Sequence, residues 1–114
     1  MAKFGFSLQE RYHAPMAEVL DLLADAGFCA VSPGWRLDDD QAETVQSARN
    51  LGLTVQSLHG PLRGMRSMWT PEPGEVLQEM LDSATACAKM EIPILVVHPW
   101  NSVDYDFQKD ALYF

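Results

Sequence analysis

Positive charge is scarce in this chain. Eight lysines and arginines face sixteen aspartates and glutamates, for a formal charge of −8 and a pI of about 4.6. Phosphate backbones repel such a surface unless a local basic patch offsets it. Arg63 and Arg66 are too sparse to form one, so no nucleic-acid partner is expected. Cysteine is scarce too. Cys29 and Cys87 lie far apart, without CxxC spacing or a disulfide framework. They read as two small buried apolar residues of a reducing compartment. No window approaches the roughly 20 apolar residues of a membrane span. Residues 1–6 lack a hydrophobic signal core, so a cytoplasmic location with no membrane partner is expected. There is no Gly-rich phosphate loop and no Gly-x-Ser-x-Gly elbow, which removes two common kinds of active site.

What is present is an ordinary globular balance, 47% apolar and 21% charged over 114 residues, enough for one domain. A β-then-α rhythm runs through it. Residues 3–8 are short and apolar with Gly5 inside, a first strand. Tyr12 and His13 follow in a polar stretch, and Pro15 suits the first turn of a helix. Met16, Val19, Leu20, Leu22, Leu23 and Ala26 recur at the helical period, and Gly27 stops the helix. Residues 28–32 form a second strand ending at Pro33-Gly34-Trp35. Asp38, Asp39 and Asp40 read as a helix start, with Asp40 and Glu43 spaced as a capping box. Ala42, Val45, Ala48 and Leu51 make that helix's stripe, and Gly52 ends it.

Residues 53–58 read as a third strand running into His59-Gly60-Pro61. Residues 62–73 look like a mobile loop, and Thr70 with Pro71 signals a third helix. Its inner stripe is Val76, Leu77, Met80, Leu81, Ala84 and Cys87. Residues 92–97 are the fourth and most apolar strand, ending at His98-Pro99-Trp100. Residues 101–114 are a tail or the start of a truncated fourth helix. Strands separated by helices run parallel, because each helix returns the chain to its starting edge. The expected class is therefore α/β, with about four parallel strands and three helices in one partial domain over residues 1–114.

Parallel α/β folds bind ligands at the carboxyl ends of their strands. Ser32 and Trp35, Ser57 and His59, and His98 and Trp100 all fall at such ends. An imidazole there can ligate a metal, move a proton or hydrogen-bond a sugar hydroxyl. Trp35, Trp69 and Trp100 offer flat walls for a sugar's C–H face. The expected substrate-binding set is Trp35, His59, Trp69, His98 and Trp100, with His59 and His98 as metal ligands. A catalytic metal site typically takes three protein ligands. Only Asp104 and Asp106, beyond the fourth strand, offer acids nearby in sequence.

Ser57-Leu58-His59-Gly60-Pro61, Ala26-Gly27-Phe28 and Val96-Val97-His98-Pro99 resemble the N-terminal half of the xylose-isomerase-like TIM barrel superfamily, which includes the sugar phosphate isomerase/epimerase family. The resemblance covers about residues 3 to 100. It implies half of a fold that typically takes about 250 residues. It also implies metal-assisted isomerisation or epimerisation of a sugar or polyol, with Mn, Mg, Co or Zn as the divalent ion. In those branches most metal ligands come from later strands, so a homodimer completing the barrel is one expectation. In the related endonuclease IV-type branch, histidines placed as His59 and His98 are here would ligate zinc, but the chain's acidity argues against DNA. The remaining alternative is a truncated, non-catalytic remnant or interaction module.

Overall fold

The computed structural model describes residues 2–9, 12–35 and 40–98, apart from the side chains of Asp40, Arg66 and Trp69. Residues 101–114, Trp100 and the acids Asp38, Asp39, Asp104 and Asp106 lie outside the described residues. The elements alternate as expected: β1 (Gly5–Ser7), α1 (Met16–Asp25), β2 (Ala30–Ser32), α2 (Asp40–Asn50), β3 (Thr54–Val55), β4 (Leu58–His59), a 3₁₀ helix (Met65–Trp69), α3 (Glu75–Lys89) and β5 (Leu95–Val96). The protein is of mixed α/β class, with three α-helices and short parallel strands.

Two small sheets share the strands. In the first, Gly5 pairs with Ala30 and Ala30 with Thr54, giving the order β1-β2-β3. In the second, Leu58 pairs with Leu95, giving β4-β5. A parallel bridge between Gly34 and His59 ties one sheet to the other. All pairings are parallel, and neighbours in space follow chain order.

The core forms where the helices cover one face of these strands. Leu20 and Leu23 from α1, Val45 from α2, and Val31, Val55 and Leu58 from the strands are its centre. Burying side chains of this size stabilises by about 1.5–3 kcal/mol each. Helix-to-strand joints are alike. Gly27 and Gly52 both hold positive φ, and the following residues Phe28 and Leu53 donate back to Leu23 and Ala48 carbonyls. At the third joint Glu91 holds φ 53 without being glycine, and Ile92 donates to the Cys87 carbonyl.

Several expectations need correction. Pro15 precedes α1 as its cap residue, and its carbonyl accepts from the Val19 N–H at 3.2 Å. The first, second and fourth strands are shorter than their apolar runs, and the run at 53–58 is divided between β3 and β4. Part of the segment 62–73, expected to be irregular, is the 3₁₀ helix. Leu22 is 67% exposed, and on α3 Leu77 and Leu81 are 41% and 53% exposed. Of the expected α3 stripe Met80 and Cys87 do turn inward, joined by Ser83, while Ala84 is exposed. On α2, Ala42 and Leu51 are exposed, and Thr44 joins Val45 and Ala48 inside. Of the cysteines, Cys87 is buried, but Cys29 is half-buried with its thiol directed at the Phe4 carbonyl. Among the described residues, no helix is long and apolar enough to cross a membrane.

Candidate functional site

His59 owes its position to one extra residue. Along β2 the carbonyls of Cys29, Val31 and Pro33 accept from the N–H groups of Thr54, Gln56 and His59. The acceptors advance two residues at each step. The donors advance two and then three. Residues 56–57 therefore form a β-bulge in a parallel pairing, and a bulge re-aims the side chains that follow it. Leu53 and Val55 are buried against the helices. Strict alternation would put His59 on that same face. The bulge hands the buried position to Leu58, which is fully buried, and turns His59 to the opposite side.

On that side lies an open cleft of about 770 Å³ at the carboxyl ends of the strands. Ser7, Gln9, Gly34, Trp35, His59 and Arg63 are among the residues that line it. His59 has a neighbour at each ring nitrogen. Its Nε2 lies 3.5 Å from Ser7 Oγ, and its Nδ1 lies 3.3 Å from His98 Nε2. The two imidazole rings are within 15° of parallel, with centroids 5.6 Å apart. Burial, and then the neighbouring charge of His98, holds the His59 pKa below its ordinary value. At neutral pH His59 is therefore an uncharged imidazole. In that form one ring nitrogen donates and the other accepts.

Comparison with family models, with curated proteins and with solved structures gave no match to this chain.

Trp35 reaches the cleft as expected. Its backbone N–H donates to the His59 carbonyl at 2.7 Å, and its indole Nε1 donates to Glu79 Oε1 at 3.1 Å. A hydrogen bond at each end fixes the ring as a wall. Ser32 and Ser57 are both buried and bond to each other, Ser57 Oγ donating to Ser32 Oγ at 2.8 Å. They hold the bulge against β2. His98 meets His59 at the end of β5. Trp69 lies in the 3₁₀ helix with its side chain outside the described residues, as is the whole of Trp100. His13 is exposed in the loop before α1 and has no place in the cleft lining.

Three polar cleft residues, and the acid that holds the Trp35 indole, are not evident from the sequence. Ser7 and Gln9 sit at the end of β1, and the strand-end rule that selects Trp35 and His59 selects them equally. Arg63 follows Pro61 by two residues, at the end of the third strand segment. Glu79 comes from the middle of α3, and nothing in the local sequence connects it with Trp35.

Proposed function

We propose that this chain forms the first half of a (β/α) barrel of the xylose-isomerase-like kind, and that its strand-end cleft binds a sugar or polyol for isomerisation or epimerisation. The observation that carries the proposal is the meeting of Ser7, Trp35, His59 and His98 at one rim of parallel strands. Strands that neighbour one another in chain order, helices on one face only and polar side chains at the carboxyl ends are what half of such a barrel requires. A pyranose or open-chain polyol offers alternating hydroxyls and an apolar C–H face. Here Ser7, Gln9 and His59 suit the hydroxyls and the Trp35 ring suits the C–H face.

The residues fit a divalent ion in part. Two nitrogens on one tetrahedral metal, at about 2.0–2.1 Å each, stand roughly 3.3 Å apart. The His59 and His98 nitrogens are separated by 3.3 Å. Among the described residues, no group of three His, Cys, Asp or Glu side chains comes together. In this proposal His59 and His98 supply two ligands, and the missing acids would come from elsewhere. A bound Mn, Mg, Co or Zn ion would polarise a substrate's oxygens. Without a metal, His59, uncharged at neutral pH, accepts a hydrogen bond or a proton at one ring nitrogen; with a metal on that nitrogen, the other ring nitrogen would carry the proton and donate. The same nitrogen pair also serves the endonuclease-like zinc hydrolase reading, which the charge of −8 disfavours.

Titration of the isotopically labelled chain with xylose, a hexitol and an inositol tests the proposal. Binding should move the His59 imidazole and Trp35 indole resonances together, and His59→Ala should abolish both shifts. Saturation without any change at His59 or Trp35 would refute the assignment of the cleft. Addition of zinc or manganese, read by calorimetry on the wild type and on His59→Ala with His98→Ala, tests the two-ligand assignment separately.

A further inference from the structure

We propose that Glu79, from the middle of α3, is a positioning residue for the cleft: by holding the edge of the Trp35 indole it sets the tilt of that ring, and so makes the cleft favour a closed pyranose over an open-chain polyol. This rests on the reading of the cleft as a sugar or polyol site and adds to it the residue that selects the form of sugar bound.

Trp35 is tied down through its backbone, where the N–H donates to the His59 carbonyl at 2.7 Å. That bond fixes where the side chain begins and leaves its direction open. The χ2 torsion of a tryptophan is broad and roughly two-fold, so a ring held only at its root can rock or turn over. The bond from Trp35 Nε1 to Glu79 Oε1, at 3.1 Å and partly buried, removes that freedom. A ring turned over about χ2 would carry its N–H to the other side and lose the carboxylate. An indole N–H can only donate, and a carboxylate is among the stronger acceptors for it.

The carboxylate is itself carried by a well-seated turn of helix. Met80, the next residue, is buried, and a Cβ on Gly60 would stand 3.4 Å from its sulfur. Gly60 lines the cleft beside His59, so this turn of α3 rests against the cleft wall. Ser83, on the same inward face, donates its hydroxyl to the Met80 carbonyl at 2.7 Å. Trp35 lines the cleft and Glu79 does not. The polar edge of the indole is therefore engaged outside the cleft, and the part of the ring left to a ligand is hydrocarbon. A pyranose presents a rigid C–H face that needs a flat apolar wall at one tilt. An open-chain polyol has rotatable bonds throughout and fits such a wall at several.

The test titrates two probes by calorimetry, methyl xyloside as a locked pyranose and xylitol as its open-chain counterpart. The proteins are the wild type, Glu79→Gln, Glu79→Ala, Trp35→Phe and Trp35→Phe combined with Glu79→Ala. The wild type should bind the xyloside more tightly than xylitol. Glu79→Ala should weaken the xyloside about tenfold, roughly what one hydrogen bond to a charged group is worth, and leave xylitol nearly unchanged. Glu79→Gln keeps an acceptor oxygen and should retain most of the wild-type affinity. With Trp35→Phe there is no indole N–H to hold, so adding Glu79→Ala should have no further effect. Without ligand, the Trp35 indole N–H resonance should move in Glu79→Ala and far less in Glu79→Gln. An unmoved resonance, unchanged xyloside affinity in Glu79→Ala, an equal loss for both probes, or an equal loss in the Trp35→Phe background overturns the role of Glu79 and leaves the cleft reading intact. Failure of both probes to bind the wild type overturns both.

Discussion

His59 and His98 face each other at 3.3 Å, Nδ1 to Nε2, although 39 positions separate them in the chain. At that distance the pair holds a single shared proton comfortably and two positive charges poorly. His59 consequently titrates below its ordinary value, with burial the larger cause and His98 the second. The unfolded chain then binds a proton at His59 more readily than the folded one. Stability is fully present above about pH 6.5, the ordinary histidine value, and falls as pH drops from there toward the lowered folded value. Denaturation midpoints measured from pH 7.5 to pH 5 should show this decline, and His59→Gln should flatten it. His98→Gln should raise the His59 value only partly, since burial remains; imidazole resonances report the shift directly.

The buried pair Ser32 and Ser57 should behave as a coupled unit. Ser57→Ala leaves the Ser32 hydroxyl without its partner, and either single change should cost about 1–3 kcal/mol. The double change to alanine removes both polar groups and should cost less than the sum of the singles. Strict additivity in a urea denaturation cycle would show that the 2.8 Å contact does not support the bulge.

Gly64 holds a left-handed backbone against α3. Gly64→Ala should destabilise by about 1–2 kcal/mol from conformation alone, with more from the Val76 contact. Adding Val76→Ala should recover the steric portion and not the conformational one. Thermal melts of the three variants separate the two contributions.

The outer strands invite association. Phe4 and Leu8 make their backbone bonds toward β2, and Ile94 and Val96 make theirs toward β4. The groups of Gly5, Ser7, Leu95 and Val97 therefore face edges that pair with no strand among the described residues, and Ile94 is 53% exposed. Unpaired parallel edges seek partners. Sedimentation over a wide concentration range should reveal self-association, the outcome expected if two copies close a barrel. A charge placed at the edge, as in Ser7→Lys with Val97→Lys, should weaken it. A monomer at every concentration, with no binding of an apolar dye, would argue against both a dimer and an interaction module.

Much of this was legible in the sequence. Ala26-Gly27-Phe28 and Leu51-Gly52-Leu53 announce two helix-to-strand joints, and from them follow the α/β alternation, the parallel strands and the gathering of Trp35, His59 and His98 at one rim. The bulge was not legible. Leu53, Val55, Ser57 and His59 read as an unbroken alternation, and neither Gln56 nor Ser57 is a glycine that would mark a bulge. Only the uneven spacing of the donors opposite β2 exposes the slip. The outward turn of Leu77 and Leu81 was hidden for a related reason. Helical period identifies apolar stripes, but a neighbour must exist before a stripe becomes an interior.

A change of chain length therefore has different meanings at different points in this protein. In the turn at 62–64, one residue more or less would lengthen or shorten a connection. At 56–57, the loss of a single residue would remove the bulge, and the donors opposite Cys29, Val31 and Pro33 would advance two at each step. Leu58 would remain beneath the helices and His59 in the cleft, but the added bend and twist that the extra residue gives the strand between Val55 and Leu58 would be lost.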